Sequence, residues 1–387
     1  MAHPGLGYVI DNVDITDHNL YSEVMKPFGK ATKLPALAYQ SKTFSDLEDE
    51  NIWSRSWVAI GSTHEIPQVG DLLPYTVGHH GIHVQRIKSD TIIGRFNKAQ
   101  HGGCRAVPAQ CQTGNKTKCS FTSCGYSLDS KPINNIEIEE SNAISHQYLG
   151  VVPERLISAR TFELGSYIFA NINPDTKNNA DPEILISEET LDQIEKHNML
   201  NFSDWFECSA NWKLLSNAIL STFEPNTENK YASSCNDNEN NLFQLQFVTN
   251  NIFYESNSEY IQVLWISPNL IIISFEEYTI SLIIQPTGLR KSLLRVLICS
   301  SSSNPDNFNT LISRFNKISE QILSRANSTQ EAFSSLANDI HTNKKSLDKE
   351  SFLEESNFGD YFNKVIAQQI CKKNDYFWNV PLFKNVL

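Results

Sequence analysis

Four cysteines and one histidine crowd a single loop-rich stretch of this chain: His101, Cys104, Cys111, Cys119 and Cys124, all within residues 97–129. Thiolates and imidazoles are the side chains that bind zinc and iron–sulfur clusters. Three chemistries compete for them. They can be ordinary reduced residues, some buried as small apolar groups. Four of the five can hold a structural zinc that staples two loops. Two can close a disulfide, which a reducing compartment opposes. The spacing does not select zinc: there is no Cys-x-x-Cys knuckle, and the nearest thiols, Cys119 and Cys124, have four residues between them. Ordinary cysteines are therefore the expectation and zinc the second reading. A separate group, His79, His80 and His83, lies on adjacent turn and strand positions, where exposed or hydrogen-bonded histidines are expected rather than ligands.

The elements that must position these residues change character along the chain. Residues 1 to about 45 show little periodicity and read as an N-terminal arm. A short helix is expected over 44–61. Short strands follow at GIHVQRI and TIIGRFN, with loops through the cysteine-rich stretch and a strand pair at 160–174. Helices are expected at 191–204 and at 209–225. In the latter, Trp212, Leu215, Ala218, Ile219 and Phe223 share a face and Pro225 ends the run. Strands then read at LFQLQFV, YIQVLWI, LIIISFE, TISLIIQ and LLRVLIC. The stretch 270–284, interrupted by Glu276 and Glu277, reads as two strands and not as a membrane span. Helices at about 307–340 and 350–373 close the chain. The order of strand block, helix, antiparallel strands and long C-terminal helix implies two α+β domains.

With 387 residues there is length for two sizeable cores, and 40% hydrophobic residues suit a globular protein. The formal net charge of -12, from 44 acidic and 32 basic residues, argues against a nucleic-acid or anionic-membrane surface. The start of the sequence shows neither a charged nor an apolar leader region, so a cytoplasmic location is expected.

Several stretches together resemble the α-subunit of Rieske non-haem iron oxygenases, over most of the chain beyond the first 45 or so residues. They are IWSRSWVAIGSTHEIPQVGD (52–71), IHVQRIKSDTIIGRFN, ELGSYIFANINP (163–174), SANWKLLSNAILSTFE and LWISPNLIIISF. The resemblance implies an α+β fold: a Rieske-like β-domain, then a helix-grip (START/Bet v1-like) domain with an antiparallel sheet and a long C-terminal helix. It sets expected boundaries at 1–45 for the arm, 46–160 for the Rieske-like domain and 161–387 for the helix-grip domain. It also implies a trimer, in which one subunit's [2Fe–2S] cluster serves the next subunit's iron.

The same resemblance places the family's metal ligands. A Rieske cluster takes two thiolates and two imidazoles; the family's register puts Ala99, His101, Cys119 and Thr122 at those positions. Alanine cannot bind iron, and a threonine hydroxyl is a poor replacement for imidazole. The mononuclear iron takes two imidazoles and a carboxylate. Here Glu224 and Asn229 stand at the histidine positions, Ser221 at an acidic position that bridges towards the neighbouring cluster, and Asp360 or Asn363 at the third ligand. From residue 170 onward the only histidines are His197 and His341, and neither follows the Asn-Trp-Lys element where the family's pair falls. The expectation is a chain that keeps the oxygenase fold without either iron cofactor. It would act as a structural or regulatory subunit, in a trimer of its own or mixed with an active α-subunit. Two alternatives stand beside it: a helix-grip protein binding a small apolar molecule, and an oxygenase using [2Fe–2S] and Fe(II) through atypical ligands.

Overall fold

The computed structural model describes residues 14–96, 158–173, 188–224, 244–250, 260–275, 277–302, 308–340, 353–354 and 356–372. Two compact units emerge: residues 54–182, and residues 1–53 together with 183–387.

The 54–182 unit is built on six antiparallel strands in the order β1-β6-β5-β4-β3-β2. These are β1 (Val58–Ser62), β2 (Leu72–Val77), β3 (His80–Lys88), β4 (Thr91–Phe96), β5 (Ser158–Leu164) and β6 (Tyr167–Asn171). The two-residue turn Ser89-Asp90 joins β3 to β4, and every residue of β1 and of β6 is buried. In β4, Gly94 is required by a close approach: a Cβ there would sit 2.8 Å from the Ala159 carbonyl oxygen of β5.

The other unit sets helices against a second antiparallel sheet, ordered β7-β12-β11-β10-β9-β8. Its strands are β7 (Met199–Cys208), β8 (Gln244–Asn250), β9 (Tyr260–Ile266), β10 (Leu270–Ser274), β11 (Tyr278–Gly288) and β12 (Lys291–Ser300). The sequence LIIIS of β10 is buried throughout, as a central strand covered on both faces must be. The helices are α1 (Lys42–Glu48), α2 (Glu188–Lys196), α3 (Trp212–Thr222), α4 (Phe308–Ile340) and α5 (Asn357–Cys371). The expected antiparallel sheet and long C-terminal helix are both present.

Helix α3 is the hub. The side chain of its N-cap, Asn211, accepts from the Lys213 amide at 3.1 Å. Every residue from Trp212 to Leu220 is buried, so the helix lies inside the unit. Trp212 sits edge-on to Trp53 (5.0 Å between centroids) and to Phe362 of α5 (6.0 Å). Lys213 is fully buried, yet its ammonium pairs with Glu48 of α1 and lies over the rings of Tyr39, Phe44 and Trp212. Desolvation pulls its pKa down, and Glu48 acts in the opposite direction.

Three expectations differ from this architecture. The helix expected over 44–61 ends at Glu48, continues as a π-helical turn through Trp53, and gives way to β1, whose Val58-Ala59-Ile60 run pairs with β6. The helix expected over 191–204 ends at Lys196. Residues 199–208 instead form β7, an edge strand that finds its partner in β12, a long-range pairing that local periodicity does not show. Boundaries at 45 and 160 also do not coincide with the compact units. The strands at 158–171 complete the first sheet, and the first 53 residues group with the helical unit.

Candidate functional site

Two helices frame a cleft in the larger unit. From α3, Leu214, Asn217, Ala218 and Ser221 face it; from α4 come Arg325, Ser328, Thr329, Ala332 and Phe333. Both sets follow the i, i+3, i+4, i+7 rhythm of a single helix face. The N-terminal segment adds Lys33, and the approach to α5 adds Leu353, Glu354 and Ser356. The cleft's volume is about 500 Å3, within the range of small-molecule sites.

Glu354 is the most heavily engaged group in this cleft. Its side chain is almost fully buried. One carboxylate oxygen accepts from Asn217 Nδ2 at 3.0 Å and Asn363 Nδ2 at 2.9 Å, with Lys33 Nζ at 3.3 Å. The other accepts from the Ser356 amide at 3.2 Å. Sequence reasoning missed Glu354, Lys33 and Arg325, because a lone acid in LEES or a lone arginine on a long helix carries no spacing signal.

Of the positions that the resemblance assigns to iron, Ser221, Glu224, Asp360 and Asn363 each have a separate set of partners. Glu224, just beyond α3, turns one carboxylate oxygen to the start of α5, where it accepts from the Asn357 amide at 2.9 Å and from Asn357 Nδ2 at 2.7 Å. A carboxylate at a helix N-terminus satisfies an orphan N–H and suits the helix dipole. Ser221 Oγ donates to the Ala218 carbonyl at 3.1 Å and accepts from Arg325 Nη1 at 2.9 Å. Asp360, on α5, binds Lys364 Nζ at 2.6 Å through one oxygen, while its other oxygen is buried with no hydrogen-bond partner among the described residues. Burial raises the Asp360 pKa, Lys364 works against that, and Glu354 adds to it. Asn363 Nδ2 is committed to Glu354. A hydroxyl, a capping carboxylate and a lysine-bound carboxylate do not fit a site built from two imidazoles and a carboxylate. Asn229 lies outside the described residues.

Elsewhere the histidines separate. His197 is buried and shares a 2.7 Å hydrogen bond between its Nδ1 and Thr279 Oγ1 of β11. His79 is exposed, whereas His83 is completely buried in β3. Desolvation, helped by the neighbouring Arg95, lowers the His83 pKa to about 3, so it is neutral. The three described cysteines outside the loop, Cys208, Cys299 and Cys371, are buried thiols. Burial pushes the pKa of Cys208 and Cys371 up to about 11 and that of Cys299 to about 12. The cluster positions Ala99, His101, Cys119 and Thr122, the further zinc candidates Cys104, Cys111 and Cys124, and His341 fall outside the described residues. Among the described residues no three His, Cys, Asp or Glu side chains converge on a metal position.

No family model matches the chain. Curated relatives do. The α-subunit of biphenyl dioxygenase from Metapseudomonas furukawaii is 26% identical over 96 residues, covering 25% of this chain and 21% of that one. The oxygenase subunit of carnitine monooxygenase from Escherichia coli (strain K12) is 20% identical over 186 residues, 48% of each chain. The chain thus spans about a fifth to a half of the length of these relatives. Among solved structures, the quaternary ammonium Rieske monooxygenase CntA superposes with a TM-score of 0.61 at 15% identity, over 93% of this chain and 99% of its own. Naphthalene 1,2-dioxygenase from Rhodococcus sp. gives 0.59 at 13% identity, over 93% and 100%. At these identities the superpositions speak to the fold. No described helix is long and apolar enough to cross a membrane.

Proposed function

We propose that this chain, which has the fold of the Rieske non-haem iron oxygenase α-subunits and is related to them, is a non-catalytic counterpart of those subunits. In this reading it carries neither the [2Fe–2S] cluster nor the mononuclear iron. It serves as a structural or regulatory subunit in the cytoplasm, in a trimeric ring with an active homologue or with its own copies. The observation that carries the proposal is Glu224. At the position of an expected imidazole stands a carboxylate, and its hydrogen bonds go to the first turn of α5. Ser221 and Asp360 support it, each held by a cation, Arg325 and Lys364. Ala99 and Thr122 at cluster positions extend the same argument to the other domain. Inter-subunit electron transfer is described for the quaternary ammonium Rieske monooxygenase; a subunit lacking both metal centres would interrupt such a relay wherever it sat in the ring.

The test is metal analysis with an absorption spectrum on protein purified without oxygen. The expected result is neither iron nor acid-labile sulfide in stoichiometric amount, and no hydroxylation when electron donors and O2 are supplied. Iron with sulfide, or turnover by the isolated chain, overturns the proposal. Stoichiometric zinc without iron would instead assign the cysteine-rich loops as a structural staple and leave the non-catalytic reading standing.

A further inference from the structure

We infer that copies of this chain associate through two surfaces of the helical unit: the exposed turn at residues 25–30 of one copy docks on the free edge of β7 in another, with Phe28 against Trp205 and Lys30 on Glu207. The inference deepens the assembly part of the proposed function, on which it rests, and is independent of whether the chain carries iron.

The turn is built to project. The Thr32 amide donates to the Glu23 carbonyl at 3.2 Å, and the Lys30 and Ala31 amides donate to the Pro27 carbonyl at 3.0 and 3.1 Å. Its own backbone therefore holds its shape, and docking it orders little further. Gly29, at φ +82°, has nothing within 4 Å of where a Cβ would stand, so the tip is clear of the rest of the unit. Yet Met25 is 37% exposed and Phe28 43%. Three lysines accompany them, and two are answered: Lys26 by Glu23 at 2.6 Å and Lys33 by Glu354 at 3.3 Å. Lys30 is exposed, and among the described residues no carboxylate pairs with it. The turn thus presents an aromatic ring and, two positions on, an unpaired ammonium.

Strand β7 presents the complement. It pairs with β12 on one side and ends its sheet on the other. A free edge is ordinarily guarded by proline, by lysine or by being short; β7 runs for 10 residues, MLNFSDWFEC, with none of these. Exposed Met199 opens it. The period of two puts Trp205 and Glu207 on one face. Trp205 is half-buried, with the Arg295 guanidinium 4.7 Å from its ring centroid. Glu207 is exposed, and among the described residues no cation pairs with it. The neighbouring acid is less available, because Asp204 Oδ1 accepts from the Trp205 amide at 2.7 Å. Phe206, on the opposite face, turns instead to Phe315 of α4, 6.3 Å between centroids. Turn against turn would set Lys30 on Lys30, and edge against edge Glu207 on Glu207. Turn against edge matches both the rings and the charges. Both halves of this match lie on the one chain, which selects a second copy as the occupant.

Sedimentation equilibrium of the full chain over a range of concentrations is the test. The wild-type chain is expected to self-associate reversibly. Phe28→Ser, Lys30→Glu and Glu207→Lys, all at solvent-facing positions, are each expected to weaken association by about tenfold with the melting temperature unchanged. The swapped pair K30E/E207K is expected to regain most of that loss. Val69→Ser, which removes an exposed apolar side chain of the other unit, is expected to change nothing. A wild-type chain that is monomeric throughout overturns the inference. So does association that ignores F28S, that falls as much in V69S, or that the charge swap fails to restore. Iron and sulfide measured on the same samples judge the non-catalytic reading separately, so either can fail without the other.

Discussion

At the scale of single residues, the telling feature is how often a potentially reactive side chain is spent on structure. His83 sits in a histidine-rich run that could suggest a metal, yet it is fully buried in β3 with its pKa near 3, far below the ordinary 6.5. A folded-state value below the unfolded one means that the unfolded chain takes up the extra proton between these two pH values. Stability from this group is therefore complete above about pH 6.5 and is lost as pH falls towards 3. Urea denaturation followed from pH 7 to pH 4 should show a steeper loss for the wild-type chain than for His83→Leu, with the gap growing to a few kcal/mol. Parallel curves would mean that His83 is protonated in the native protein. The sequence carried the residue types at each candidate position, and the family register brought out Ser221, Glu224 and Asp360. It could not show what those groups bond to. Glu224 caps a helix more than 130 positions away in the chain, and Arg325 meets Ser221 across 104; no local pattern encodes such a meeting.

Elements were legible where one face repeats. The apolar stripe of α3 and the strands β9 to β12 could be read directly, because burial on a fixed period leaves its mark in composition. They were misread where context decides: β7 carries a mixed polar sequence that a helix would also accept, and only its pairing with β12 makes it a strand. Helix α5 offers an element-scale test of the polar network beneath the cleft. Gly359 lies in its first turn, where alanine would ordinarily gain about 1 kcal/mol of helix propensity. Here a Cβ would stand 2.7 Å from both Asn217 Nδ2 and Glu354 Oε1. Neither atom belongs to a loose surface chain: Asn217 and Glu354 are buried and bonded to one another. Displacing them breaks hydrogen bonds to a buried carboxylate, which outweighs the propensity gain. Gly359→Ala is expected to lower stability by about 1–3 kcal/mol in chemical denaturation. A stabilised variant would show that this network yields without cost.

At the scale of the whole chain, the described N-terminal residues from Asp14 onward contribute to the core. Residues 14–41 show little periodicity because their structure is a series of turns and single-turn helices, which leave no stripe. Tyr21, Val24, Leu34 and Tyr39 are nevertheless almost completely buried. The segment is also sewn to the far end of the sequence. Thr32 bridges Leu353, the Glu354 amide donates to the Ala31 carbonyl at 2.9 Å, and Gln40 Nε2 donates to the Phe333 carbonyl. Lys33 then reaches Glu354, so the same segment that completes the core also supplies one wall of the cleft. Each large buried side chain contributes about 1.5–3 kcal/mol, and four of them match much of the 5–15 kcal/mol by which a domain is ordinarily stable. A chain beginning at Lys42 is therefore expected to lose cooperative unfolding and near-ultraviolet circular dichroism in the 183–387 region, and to be cleaved by protease within α4 and α5. If that shortened chain instead melts cooperatively at the wild-type temperature, the N-terminal segment is an appendage, and the wall it lends to the cleft is dispensable to the fold.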